Sequence, residues 1–440
     1  MHTIKQKISL LLIFNLLFVH FSIASVDTTA KPIYNPENEK VDPIDTLNSA
    51  IANLASLIDK SNRLKFTGYL QPQFQWTEAE GAESFSGGNF APFQDNRFMM
   101  RRGRIKFTYE FGLALFMLNT DWTEKGVNIR ETYVRITDPW IQHFQLTLGM
   151  RQYLFGHDVN YSSGDRETPE RARMFQILFP TERDLQAIIT FQPPKTSRYN
   201  WMKLDIAATN GSGVAAEFDK YKDIYGRASI SKSNEAENIK FGFGVSYLKG
   251  GYRGGVMKVN SMSTNSKNDP IFITTTDSAN LTSRVPREYI GADIQLTTDY
   301  KFGINILRAE YIQGWQTGNG SSNTTPNVLP SSDLYIRRFN GFSFYFIQNI
   351  GQSNFQVVAK YDWFDPNILE KGTQIGAVNS KTTAADIKYT TIGFGLNYRL
   401  FEGVKITAYY DIVSNEITSI KNYDIDRKDN VFTFRIQYKF

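Results

Sequence analysis

Residues Phe98 to Trp122, FMMRRGRIKFTYEFGLALFMLNTDW, constrain the fold more than any other stretch of the chain. Successive side chains of a β-strand point to opposite faces, so the stretch divides into two registers. Arg102, Arg104, Lys106, Thr108 and Glu110 share one face, and Gly103, Ile105, Phe107, Tyr109 and Phe111 the other. A tight connection at Glu110–Gly112 leads into a second run, where Phe116, Leu118, Thr120 and Trp122 alternate with Met117, Asn119 and Asp121. In a soluble sandwich the apolar face of such a hairpin is core and the charges meet water. In an outer-membrane barrel the apolar face meets lipid and the charges line a lumen.

The remaining chain decides between the two. From Leu64 onward strand follows strand, with further starts near Ile129, Gln145, Asp184, Asn200, Lys222, Ile239, Glu288, Phe302, Arg338, Asn354, Lys388, Val404 and Asn430. The total is about 16, even as a bacterial barrel requires, and most runs have the ~10 residues a tilted strand needs to cross a bilayer. Long connections near 77–97, 152–183, 210–221, 249–287, 314–337, 364–387 and 414–429 are all odd in order, with Thr123–Asn128 the one short exception. The even connections are brief. A sandwich has no reason to alternate loop lengths so; a barrel with one end facing the cell exterior does. The expected fold is a transmembrane antiparallel β-barrel of about 16 strands over 63–440, its third loop (152–183) long enough to fold back into the lumen.

Composition agrees. A mean hydropathy of −0.36 with 14% aromatic residues suits strands in which only every second residue is apolar. There is no Cys, hence no disulfide and no thiolate chemistry. The net charge of +5 is too small to argue for nucleic acid. Lys5 and Lys7, the apolar run Ile8–Val19 and Ser22-Ile23-Ala24 read as an export signal over 1–24. Residues 25–62 read as a periplasmic linker ending in a short amphipathic helix over 45–60, with Leu47, Ile51, Leu54 and Ile58 on one stripe. That helix either joins subunits as a small coiled coil, or rests on the barrel or plugs its periplasmic end. The last strand places Phe432, Phe434, Ile436, Tyr438 and Phe440 on one face and ends the chain on an aromatic.

Three places invite chemistry. Arg102, Arg104 and Lys106 are cations only ~7 Å apart along a strand, and they repel unless solvated or neutralised. Either they line a lumen that prefers anions, or they pair with Glu110, Asp121 and Glu131 and brace the wall. The third loop carries Arg166, Arg171, Arg173 and Arg183, balanced by Asp165, Glu167, Glu170, Glu182 and Asp184; such a mixture argues for a cross-linked constriction. Arg151, Arg171 and Arg173 are the further candidates there. Only His143 and His157 follow the signal, and His157, beside Asp158 and near Ser162 and Ser163, is the sole ingredient of a hydrolytic site. No metal-ligand spacing occurs, and neither a cofactor nor an enzymatic activity is expected.

The order of several short motifs resembles the phosphate-selective porin O/P family of Gram-negative outer membranes. They are Arg101-Arg102-Gly103-Arg104, Leu118-Asn119-Thr120-Asp121, Glu131-Thr132-Tyr133-Val134, Leu148-Gly149-Met150-Arg151-Gln152, Thr209-Asn210-Gly211 and Lys360-Tyr361-Asp362-Trp363-Phe364-Asp365-Pro366. The resemblance implies a 16-stranded homotrimeric porin in the outer membrane, a third loop folded into the lumen, and passive diffusion of small anions, phosphate among them. It also implies that the barrel assembly machinery reads the terminal Phe440. The alternative reading is a closed or plugged barrel acting as a surface adhesin or structural protein through loops 249–287 and 314–337.

Overall fold

The computed structural model describes residues 63–264 and 270–440, together with Ile51, Ala52 and Leu54, which are helical. The export signal, the linker and the rest of the helix expected over 45–60 lie outside the described residues.

The strands, in chain order, are β1 (Leu64–Thr77), β2 (Asn96–Phe111), β3 (Ala114–Thr123), β4 (Gly126–Thr137), β5 (Phe144–Gln152), β6 (Arg183–Phe191), β7 (Met202–Thr209), β8 (Asp223–Ser233) and β9 (Ile239–Arg253). They continue with β10 (Lys258–Thr264), β11 (Pro270–Thr276), β12 (Arg284–Tyr300), β13 (Gly303–Asn319), β14 (Leu334–Asn349), β15 (Phe355–Asp365), β16 (Tyr389–Phe401), β17 (Val404–Asn415) and β18 (Val431–Lys439). Neighbours pair antiparallel around the sheet, β9 pairs with β12, and β18 pairs with β1, so sixteen strands close a transmembrane barrel.

The two-residue period explains which way each side chain points. Phe107 and Tyr109 on β2, Phe116 on β3, Val134 on β4, Leu148 on β5 and Phe243 on β9 are exposed on the outer wall. So broad an apolar exterior is stable only against lipid. The opposite register is buried and polar on β1, where Gln71, Gln73 and Gln75 zip the closing seam: Gln71 donates to Gln437 at 2.7 Å and Gln75 to Thr433 at 2.9 Å. Short turns close one end. At the β2–β3 turn Gly112 takes a φ of +56°, which a residue with a Cβ rarely adopts. At the β4–β5 turn one carboxylate, Asp138, accepts four backbone N–H groups, from Trp140, Ile141, Gln142 and Phe144.

The region 249–287, read from sequence as one long loop, contains the hairpin β10–β11. Its first strand pairs parallel with β14, from Val259↔Leu334 to Ser261↔Ile336, and Val259 and Leu334 join Tyr252 and Val285 in an apolar cluster. That packing explains why β9, β12, β13 and β14 run to 15, 17, 17 and 16 residues, well beyond a bilayer's ~10.

Candidate functional site

Residues 153–182, between β5 and β6, fold against the inner wall and divide the lumen unequally. Their apolar side, Phe155, Val159, Met174, Phe175, Leu178 and Phe179, packs on Ile188 of β6, Ala207 of β7, Tyr225 of β8, Leu248 of β9, Tyr289 of β12, Ile312 of β13, Phe339 of β14 and Phe364 of β15. A single helical turn and a half, α1 (Arg173–Leu178), supplies three of these residues. At roughly 1.5–3 kcal/mol per fully buried large apolar side chain, this contact fixes the side of the barrel on which the loop lies. The open space is left on the other side, between the loop's polar edge and β1–β6.

Two glutamates of the loop organise that edge. Glu170 takes Arg101 at 2.7 Å and Arg102 at 2.7 Å from β2, and Arg435 at 3.1 Å from β18. Burial alone would raise the Glu170 carboxyl, but the three guanidiniums outweigh it and hold it well below the usual carboxylate range. Glu182, in a left-handed conformation at φ +61°, takes Arg183 at 2.6 Å, Arg130 at 3.7 Å and the loop's own Arg171. Arg171 also donates to the carbonyls of Asp158, Val159 and Tyr161, which sets the path of the loop. Between the hubs, Arg104 approaches Asp121 at 3.8 Å, and Arg183 lies 3.9 Å from Glu131. Seven arginines therefore face four carboxylates, which leaves the narrowing positive.

Two cavities meet there. One, about 420 Å³, opens among the long loops beside Gly87, Gly88 and Asn89 and is lined by Arg101, Arg102 and Arg130. The other, about 460 Å³, opens toward the short turns beside Thr67 and Lys439 and is lined by Lys106, Arg151 and Arg183. Arg104 and Arg171 belong to both.

Of the residues singled out from sequence, Arg102, Arg104 and Arg171 come together at the narrowing, and Lys106 and Arg151 line the cavity below it. Arg173 does not join them. It points to the far wall, with its guanidinium 3.9 Å from the Tyr389 ring and 4.5 Å from the Phe85 ring. The helix that carries Arg173 faces the apolar wall, and a charged residue on its flank is taken up by aromatic faces. Glu110 pairs with Lys65 rather than with the basic file.

Sequence reasoning missed Arg101, Arg130 and Arg435 of β18, and the first two misses have one cause. In the β1–β2 register Gln71 faces Arg102 and Pro72 faces Met100, so Arg101 is an extra residue. In the β3–β4 register Asn119 faces Glu131 and Thr120 faces Ile129, so Arg130 is another. A β-bulge lets two consecutive residues reach the same side, and each of these turns one more arginine into the lumen. Pro72 is the legible signal for the first, because proline inside a strand is confined to edges and bulges. Nothing in the sequence marks the second.

His157 stacks on Tyr161 at 5.3 Å, and Ser163 is hydrogen-bonded to Tyr69 at 2.6 Å. No Ser–His hydrogen bond forms among the described residues.

The fold and site together define a membrane-spanning β-barrel whose lumen is narrowed by an inward loop with a basic margin. No family model matches the chain, and no curated protein matches it. Among solved structures, the outer membrane channel DcaP of Acinetobacter baumannii is similar at 12% identity and TM-score 0.52, over 86% of this chain and 97% of that one. OmpT of Vibrio cholerae, in its trimer form, aligns at 10% identity and TM-score 0.46 over 86% of this chain and 99% of that one. At such identities the likeness is one of fold.

Proposed function

We propose that this chain is a passive diffusion channel of a Gram-negative outer membrane that prefers small anions. The observation that carries the reading is the excess of arginine over carboxylate where the two cavities meet. A unit charge ~4 Å from a passing ion contributes about 1 kcal/mol in water and more where the walls lower the dielectric. A few uncompensated guanidiniums therefore suffice to favour anions several-fold over cations, and Arg adds planar donors suited to carboxylate and phosphate. Phosphate-like anions are among the solutes the wall fits. Arg102, Arg104, Lys106, Arg151 and Arg171 set its potential, with Arg101, Arg130 and Arg183 beside them.

The reading includes a cleaved export signal over 1–24, a periplasmic linker and helix over 25–62, a homotrimer in outer-membrane lipid, and recognition of the C-terminal strand by the assembly machinery. Phe440 suits that last role, since its backbone pairs with Gly68 in both directions at 3.0 Å and its ring stacks on Phe66 at 5.5 Å.

One observation favours the other reading, a closed barrel that binds at the cell surface. The β10–β11 hairpin builds an ordered roof, with Lys381 donating to Thr274 at 2.7 Å. Reconstitution into planar bilayers separates the two. Discrete conductance steps in KCl, with swelling of liposomes in small sugars, support the channel; folded barrels that pass neither ions nor sugars support the surface protein.

A further inference from the structure

The cavity below the narrowing has a panel that a pore for simple ions does not need. Met117 of β3 and Tyr133 of β4 are direct cross-strand partners on the lumen side, both under 10% exposed, and both line the 460 Å³ cavity. Leu115 joins them in one cluster, and Leu154 of the inward loop borders the same space. Barrel lumens are ordinarily polar, so a thioether and a phenol ring side by side on this wall call for an explanation.

Cations flank the panel on both sides. Lys106 on β2 and Arg151 on β5 lie three strand spacings apart, ~14 Å at ~4.8 Å per strand. Unlike the arginines at the narrowing, neither has an ion-pair partner among the described residues. Arg151 lies 5.2 Å from the Tyr133 ring, with only a 3.4 Å contact from its guanidinium to the Thr147 hydroxyl. Its remaining donors have no protein acceptor among the described residues. A cavity of this volume, with an apolar panel between flanking cations, has the make-up of a small-molecule site.

We infer that this cavity binds organic carboxylates with a flat apolar body, the ring lying on Met117 and Tyr133 and the carboxylate on Arg151 or Lys106. The inference rests on the diffusion reading for how such a solute arrives, but its binding chemistry stands on the wall alone. Inorganic phosphate uses the cations and wastes the panel. A neutral aromatic uses the panel and leaves the cations unmet. The cation–π contact of Arg151 with the Tyr133 ring pre-positions both halves of the site.

Benzoate, acetate and benzyl alcohol are the probes, and saturation-transfer NMR on the detergent-folded barrel reads their binding. Benzoate is expected to bind at least about tenfold more tightly than either acetate or benzyl alcohol, the order of one buried apolar group or one charge-assisted pair. Tyr133→Ser and Arg151→Gln are each expected to weaken benzoate by about tenfold on the same grounds. Benzoate no tighter than acetate removes the panel from the account, and benzoate no tighter than benzyl alcohol removes the cations; either result overturns the inference without any variant. A barrel that conducts KCl but fails this comparison overturns the inference alone. A barrel that does not conduct overturns the diffusion reading, whatever binds in the cavity.

Discussion

Arg101 and Arg102, adjacent in sequence on one strand, hold the same carboxylate: Nε of Arg101 donates to Glu170 Oε1 at 2.7 Å and Nη2 of Arg102 to Glu170 Oε2 at 2.7 Å. Consecutive strand residues normally point apart, and only the bulge opposite Pro72 brings both to the lumen. Glu170 thereby bolts the inward loop to the seam where β1 meets β2 and β18.

Replacing Glu170 by Ala leaves two buried guanidiniums, Arg102 and Arg435, and the half-buried Arg101 sharing no anion. Breaking a buried pair from one side costs about 3–5 kcal/mol, here charged mainly to the loop rather than to the barrel. The expected outcome is a loop that trypsin cuts after Arg166 or Arg171 in the folded variant and leaves intact in the wild type. Mass spectrometry of the limited digest reads it.

The loop's other margin is sensitive to acid. His157 is packed among Asp158, Tyr161 and Arg166 of the loop, Arg308 and Glu310 of β13, Asp293 and Gln295 of β12, Arg227 of β8, and Ser343 and Tyr345 of β14. Burial, reinforced by Arg308, lowers its pKa from 6.5 to about 4. The unfolded loop therefore binds more protons than the folded one between those two values, and stability falls as pH drops from 6.5 toward 4. Glu170 acts with the same sign further down the scale: its carboxyl is depressed, so its contribution is present at neutral pH and is lost progressively as pH falls below the ordinary carboxylate pKa of 4.5 toward its own lowered value. Between pH 6.5 and 4 the wild-type melting temperature should decline, and His157→Gln should flatten that part of the profile. Equal slopes in the two proteins would remove His157 from the account.

Closure of the barrel depends on one missing side chain. A Cβ on Gly68 would lie 2.4 Å from the carbonyl oxygen of Arg104 and 2.6 Å from the Phe440 ring. Gly68→Val should therefore obstruct docking of the last residue and lower the yield of folded, heat-modifiable barrel on cold SDS gels. Wild-type yield would show that the seam can shift to make room.

Ionic strength offers a check that needs no variant. The fixed charge at the narrowing acts over a Debye length of ~10 Å at 0.1 M salt and ~3 Å at 1 M. Anion preference should weaken steadily as KCl is raised from 0.1 to 1 M, approaching the ratio set by mobility alone. A preference independent of salt would point to size or direct binding instead.

Much of the barrel was legible because its code is local. Strand direction follows from a two-residue period, and the order of long and short connections follows from counting. The β2–β3 turn, read at Glu110–Gly112, falls between Phe111, which ends β2, and Ala114, which starts β3. What resisted reading depends on partners far away in the chain. The β10–β11 hairpin exists because Val259 finds Leu334, and no local pattern announces that. Arg130 reaches the lumen through a bulge whose cause lies in the pairing of β3 with β4. Arg173 looked equivalent to Arg171 two residues earlier, yet α1 turns it to the opposite wall, toward Tyr389. Composition could count the arginines, and only the fold could say which ones share a carboxylate.

The arginines at the meeting of the two cavities are the proposed source of the anion preference. Arg104 and Arg130 test it best, because their carboxylate contacts, at 3.8 and 3.7 Å, are the loosest of that cluster apart from Arg183–Glu131, so their loss disturbs the loop least. The measurement is the zero-current potential under a KCl gradient, for wild type and an Arg104→Gln, Arg130→Gln double variant. The expected result is an anion-selective potential that moves toward the cation side in the variant, with single-channel conductance retained. A wild-type potential of cation sign, or one that the double variant leaves unchanged, contradicts it.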